Sequence, residues 1–119
     1  MFVIVRDETP GGRSLAEVTL ELPGPGTLGE LIRHRVREEV ARHNLAPSHD
    51  FRGLVQPRKR DPGRRIDWEE QADVALQAFR QNGFFVLVGD RQVDDLDAEL
   101  DLSTASDVAF VRLVPLVGG

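Results

Sequence analysis

The residues best suited to chemistry are the last two, Gly118 and Gly119, preceded by Val114-Pro115-Leu116-Val117. Behind them the mostly apolar stretch Val108 to Leu113 reads as a buried strand. A sheet cannot continue into this tail, because Pro115 lacks a ladder donor and the glycines have no side chain to pack. The pattern predicts a rigid strand that delivers a bare, extended, flexible arm over 114–119, ending in the Gly119 carboxylate. A carboxylate on a thin arm suits a reaction carried out inside another protein's active site. The plainer alternative is a frayed end, since chain ends are commonly poorly ordered.

Other chemistries are poorly provided for. Without cysteine there is no disulfide, no thiolate nucleophile and no zinc–thiolate site. His34, His43 and His49 have no metal spacing. Asp94, Asp95, Asp97, Glu99 and Asp101 lack the glycine-punctuated spacing of a calcium loop and read as a solvated acidic edge. Arg52, Arg58, Lys59, Arg60, Arg64 and Arg65 form a basic stretch with no aromatics interleaved, unlike a platform for single-stranded nucleic acid. The net charge of −5 also argues against general nucleic-acid binding. We read the stretch as a flexible loop, with partner docking or self-association as its next use. In the latter case the acidic 94–101 segment of one copy would meet the basic 52–65 loop of another, giving a homo-oligomer.

Only Lys59 is a lysine among the 15 basic residues. One reading is a GC-rich genome's preference for arginine. The functional alternative is a protein with few acceptors for self-attachment, Lys59 in the exposed loop and the amino terminus. No apolar run is long enough to span a bilayer. Met1-Phe2-Val3-Ile4-Val5 reads as a strand and not as a signal peptide, so the expected compartment is the cytoplasm.

The 119 residues are enough for one domain with a real core. The segment 2–6, with its continuous apolar run Phe2-Val3-Ile4-Val5, suggests a strand covered on both faces. Pro10-Gly11-Gly12 turns the chain. Residues 15–22 then alternate, with Ala16, Val18, Leu20 and Leu22 on one side, which predicts the second arm of a hairpin. Thr27 and Glu30 have the spacing of a capping box. Leu28, Leu31, Ile32, Val36 and Val40 form an apolar helical stripe, with Arg33, Arg35, Arg37, Glu38 and Arg42 assigned mostly to the opposite face. This predicts a helix over about 28–43.

Residues 44–66 have no period and read as an irregular loop. A weaker Asp67/Glu70 cap and the stripe Trp68, Ala72, Ala75, Leu76 and Phe79 predict a second helix over about 68–81, stopped by Asn82-Gly83. Trp68 and Phe79 are expected in the core. A buried-type strand over 84–88, a turn and a short strand over 91–93 follow. An acidic loop then tucks Leu96, Leu100 and Leu102 inward. The first and last strands should lie together at the sheet centre, parallel, because only a crossover joins them.

This order resembles the β-grasp, or ubiquitin-like, fold. The implied class is α+β, a mixed sheet of four or five strands packed on a helix, with an inserted loop and second helix at about 44–83. The run 84–95 (Phe-Phe-Val-Leu-Val-Gly-Asp-Arg-Gln-Val-Asp-Asp) resembles the ubiquitin stretch of strand, Gly turn, short Gln-containing strand and acidic loop. Asp107-Val108-Ala109-Phe110, followed by Val114-Pro115-Leu116-Val117-Gly118-Gly119, is similar to the ending of the molybdopterin and thiamin sulfur carriers. Thr27-Leu28-Gly29-Glu30-Leu31-Ile32 looks like the start of their helix. The resemblance covers roughly 1–43 and 84–119. With its large insertion, the chain looks more like the ubiquitin-like modifiers encoded beside bacterial activating enzymes, conjugating enzymes and metallopeptidases.

The resemblance implies a protein that is not itself an enzyme and binds no cofactor. A partner activating enzyme, using ATP and magnesium, would adenylate the Gly119 carboxylate. Conjugation to an amine of a target protein would follow. The next reading is a sulfur carrier with a Gly119 thiocarboxylate, and after it a non-conjugated β-grasp interaction domain. Gly118 and Gly119 would thread a narrow channel, and Val114, Pro115, Leu116 and Val117 would add a strand-like contact with the partner. Arg112, on the strand feeding the tail, would steer towards an acidic partner face or simply be solvated.

Overall fold

The computed structural model describes residues 1–45, 51, 53–57, 65–102 and 107–118. Strands β1 (Phe2–Glu8) and β2 (Ser14–Glu21) form the hairpin, followed by helices α1 (Leu28–Leu45) and α2 (Trp68–Arg80). Strands β3 (Phe84–Val88), β4 (Arg91–Val93) and β5 (Asp107–Arg112) complete the fold. The mixed sheet has the order β2-β1-β5-β3-β4. β1 and β5 run parallel at its centre, with Val5 opposite Val108, and the other pairings are antiparallel. This is an α+β fold of the β-grasp kind. No described helix is long and apolar enough to cross a membrane.

Both helices contribute to one buried cluster on one face of the sheet. Ile32, Val36 and Val40 of α1 and Ala72 and Ala75 of α2 pack with Val3, Val5, Val86, Val108 and Phe110. One-sided packing corrects the expectation that the apolar strands would be covered on both faces. Along β1, Val3, Val5 and Asp7 are buried, whereas Phe2 is 68% exposed and Ile4 only half-buried. On the uncovered face the central β5 residues Ala109 and Val111 are nevertheless buried, flanked by β1 and β3. Val18, Leu20 and Leu22 turn towards the core as expected, while Ala16 is exposed. Trp68 and Phe79 pack on the core only partly buried.

The start of α1 carries the expected capping box. The Thr27 hydroxyl accepts from Glu30 N–H at 3.2 Å, and Glu30 Oε1 accepts from Thr27 N–H at 3.3 Å. The acidic segment adds a second layer. Leu28 N–H donates to Ala98 O at 3.0 Å and Gly29 N–H to Leu96 O at 2.9 Å, satisfying helix-start donors that have no intrahelical acceptor. A Cβ on Gly29 would lie 3.2 Å from Leu96 O, so the close approach favours glycine here. Leu100 and Leu102 are buried and Leu96 half-buried, as the sequence suggests.

α2 begins with Asp67 Oδ1 accepting from Glu69 N–H at 3.0 Å. It ends in a Schellman turn: Asn82 takes φ 61°, Gly83 N–H donates to Ala78 O and Asn82 N–H to Phe79 O.

The segment between the helices differs from an irregular exposed loop. Phe51, Leu54, Val55 and Ile66 are in the core cluster. Asn44 brackets Ile66, donating from Nδ2 to its carbonyl at 2.8 Å and accepting its N–H at 2.9 Å. These contacts extend α1 to Leu45, beyond the expected end. Arg52, Arg58, Lys59, Arg60 and Arg64 lie outside the described residues; Arg65 is exposed.

Thr27→Ala is expected to cost about 1 kcal/mol of stability, read as a lower urea midpoint. An unchanged midpoint would mean that the Ala98 and Leu96 carbonyls suffice to hold the helix start.

Candidate functional site

The candidate site is the tail that leaves β5, together with the surface it meets. Beyond Arg112 the chain turns off the sheet, and Leu113 and Val114 N–H both donate to Gly83 O, at 3.0 and 3.4 Å. Pro115 is exposed, Leu116 is buried at 6%, Val117 is 51% exposed and Gly118 is buried. That alternation is strand-like. It has a strand's hydrogen bonds as well, because Val117 forms a parallel bridge with Gln56. Gln56 N–H donates to Leu116 O at 2.9 Å and Gly118 N–H donates to Gln56 O at 3.0 Å. On the other side Gln71 of α2 is buried, and its Nε2 donates to Gly118 O at 2.8 Å.

The expected arm is extended here but not bare. Residues 114–118 are extended but seated on the chain's own body. An extended backbone must satisfy its N–H and C=O groups somewhere, and Gln56 and Gln71 supply partners before solvent does. Both lie in the 44–83 segment, whose contact with the tail no local sequence pattern indicates. Gly119 lies outside the described residues, as does Lys59. Gly118 acquires a packing reason as well: a Cβ there would fall 2.9 Å from Val74 Cγ1. Val74, Gln77, Ala78 and Gly83 wall the groove beside the tail, with Glu70 and Asp73 on its acidic rim.

The seat is anchored by buried charges. The Arg35 guanidinium, 2% exposed, makes a two-pronged pair with Asp7, with Nη1 to Oδ1 at 2.6 Å and Nη2 to Oδ2 at 2.7 Å. Its Nε donates to Glu39 Oε1 at 3.3 Å, and it lies 4.6 Å over the Phe110 ring. Arg112 Nη2 reaches Asp7 Oδ2 at 2.9 Å and Gly53 O at 3.3 Å. Glu39 Oε1 also accepts Leu54 N–H at 3.2 Å. The network thereby ties residues 53–54 to β1, α1 and β5, and Gln56, two residues on, carries the tail. Arg112 is thus an internal tie and not a free steering charge.

Arg35, which the sequence reading gave to the polar face, is buried. A signal was available: Arg35 and Glu39 lie seven and eleven residues after Leu28, inside the apolar stripe. Asp7 likewise follows Val3 and Val5 at period two.

Burial works against both carboxylates ionising. At Asp7 it is outweighed by the hydrogen bond and charge of Arg35, then by Arg112, and the carboxyl is held below its ordinary value. At Glu39 burial wins over Arg35 and the Leu54 N–H, and the carboxyl is pushed up. Burial also opposes the charge on Arg35, but Glu39 and Asp7 more than restore it.

The tail itself is held marginally. Burying Leu116 contributes roughly 1.5–3 kcal/mol, and each of the hydrogen bonds to Gln56 and Gln71 about 0.5–1.5 kcal/mol. Ordering the backbone of 114–118 costs about 1–2 kcal/mol per residue. The two ranges overlap, so neither the docked nor the released tail is strongly favoured.

Comparison of the chain with protein-family models, with curated proteins and with solved structures finds no match.

Asp7→Ala is expected to destabilise the fold by about 3–5 kcal/mol, because it strands a buried guanidinium. The two carboxylates should also leave opposite pH signatures. With its folded value depressed, Asp7 stabilises above its unfolded value, and this is lost as pH falls through the folded one. With its folded value raised, Glu39 contributes below its unfolded value, and this is lost as pH rises through the folded one. Urea midpoints across acid to neutral pH check this. Asp7→Asn should flatten the acid limb, and Glu39→Gln should gain on wild type as pH rises.

Proposed function

We propose that this chain is a ubiquitin-like protein modifier, activated and conjugated through Gly119. The observation that supports the reading best is the exit of the central strand β5 of a β-grasp sheet into a short tail ending in two glycines. The reading requires Gly119 to be the terminal residue of the functional protein. In the proposed chemistry a Gly119 carboxylate oxygen attacks the α-phosphate of ATP, bound with magnesium in a partner activating enzyme. Pyrophosphate leaves and an acyl-adenylate remains. A thiol of the partner enzymes displaces AMP, and a target lysine amine then displaces the thiol and loses a proton as the amide forms. A metallopeptidase partner would cleave the product. Glycine suits the last positions because a chain without Cβ atoms can pass a narrow channel and approach the nucleotide closely. If sulfide takes the acyl group instead, the product is the thiocarboxylate of a sulfur carrier.

A second reading, a β-grasp interaction domain that is not conjugated, is favoured by one observation. The seat against Val74 gives Gly118 a purely structural reason to be glycine.

Mass spectrometry in the native host separates these readings. Trypsin cuts after Arg112, so conjugation should leave the 113–119 remnant, Leu-Val-Pro-Leu-Val-Gly-Gly, on target lysines. One sulfur in place of one oxygen on the intact protein would instead mark the carrier. Absence of both products, with every partner interaction surviving deletion of Gly118 and Gly119, leaves the interaction domain.

A further inference from the structure

We propose that the groove between α2 and residues 53–56 is a self-docking site that gates the tail, so that a partner can take the tail only from a released state. The inference about docking stands on the groove. Its consequence for conjugation rests on the modifier reading above.

Three features make the seat specific yet reversible. First, the tail is read by backbone on one side and by one buried side chain on the other. Gln56 supplies the donor and acceptor of a parallel bridge, and Gln71 Nε2 holds the Gly118 carbonyl. Second, the seat excludes a side chain at 118. Val74 Cγ1 and Cγ2 would lie 2.9 and 3.2 Å from a Cβ, and a β-branched residue on a helix has little rotamer freedom with which to yield. Third, the seat is not optimised for permanent closure. Gln71 is 2% exposed, yet its Oε1 has no hydrogen-bond partner among the described residues. Burying an unpaired acceptor disfavours the closed state, and release admits water to it. Only Leu116 among 114–117 is buried; Val114 and Val117 remain about half exposed.

Docked and released tails therefore exchange. A partner that needs the free tail sees an affinity scaled down in proportion to the released fraction, and any change that weakens docking raises that fraction. Gln71 belongs to the seat, where it holds the Gly118 carbonyl, so under the modifier reading its loss should speed activation.

The test uses amide hydrogen exchange of the isolated protein, with no partner present. In wild type, the Gln56 and Gly118 amides should be protected relative to an unstructured peptide. Gly118→Ala should bring exchange at 56 and 118 close to the rates of an unstructured peptide. Adding Val74→Ala to that variant should restore protection by making room for the methyl group. Thermolysin cleavage before Leu116 or Val117 should follow the same order, fast in the single variant and slow in wild type and the double variant. Exchange of wild-type amides at peptide rates overturns the proposal, as does full protection in Gly118→Ala or a double variant no better protected than the single one. Because these readouts need no activating enzyme, they stand apart from the search for the tryptic remnant. If remnants are found, Gln71→Ala should increase them; a decrease would refute the gate while leaving conjugation in place.

Discussion

A guanidinium sealed beneath a β-sheet constrains everything around it. Arg35 sits over the Phe110 ring and is satisfied only while Asp7 of β1 and Glu39 one turn further along α1 are both in place. Buried ion pairs contribute little net stability compared with apolar packing, but removing one partner is costly. The effect on the fold is selective. A one-residue slip of β1 would turn Asp7 to the opposite face of the sheet and take from Arg35 and Arg112 the carboxylate they share. The apolar residues of β1 and β5 favour burial in general terms, whereas this pair distinguishes one register of β1, α1 and β5 from its neighbours.

The same charges connect the core with the proposed working end. Arg112 is the last residue of β5, and its guanidinium points back to Asp7 and Gly53 while the main chain leaves for the tail. Glu39 holds the next amide, that of Leu54. Residues 53–56 are thereby presented as a short edge on which 116–118 can pair. A segment that resembles an ornament on a β-grasp body is in fact the surface that receives the tail. The acidic 94–101 stretch has a comparable hidden use, since its carbonyls, not its carboxylates, close the start of α1.

Much of this was legible in the chain. Alternation over 15–22, the stripe from Leu28 to Val40, the Thr27/Glu30 spacing and the Asn82-Gly83 stop all correspond to observed elements, because each reflects short-range geometry. The parallel pairing of β1 with β5 also followed, from the need for a crossover. The overestimate of strand coverage came from reading apolar runs as two-sided burial, when a central strand can cover its outer face with its own neighbours, as Ala109 and Val111 do. Arg35 is buried although its charge favours the polar face; its spacing from Leu28 and that of Asp7 from Val5 both point inward.

Residue order alone determined the elements, their sequence along the chain, the helix caps and the glycine-ended tail, because propensity, periodicity and capping act within a few residues. Tertiary structure decided where the tail goes and which charges are buried. Gln56, Gln71 and Val74 meet Gly118, and Asp7 meets Arg35 and Arg112, across separations in sequence that no local pattern encodes. These contacts exist only once the sheet has closed around β5 and the two helices have packed against it.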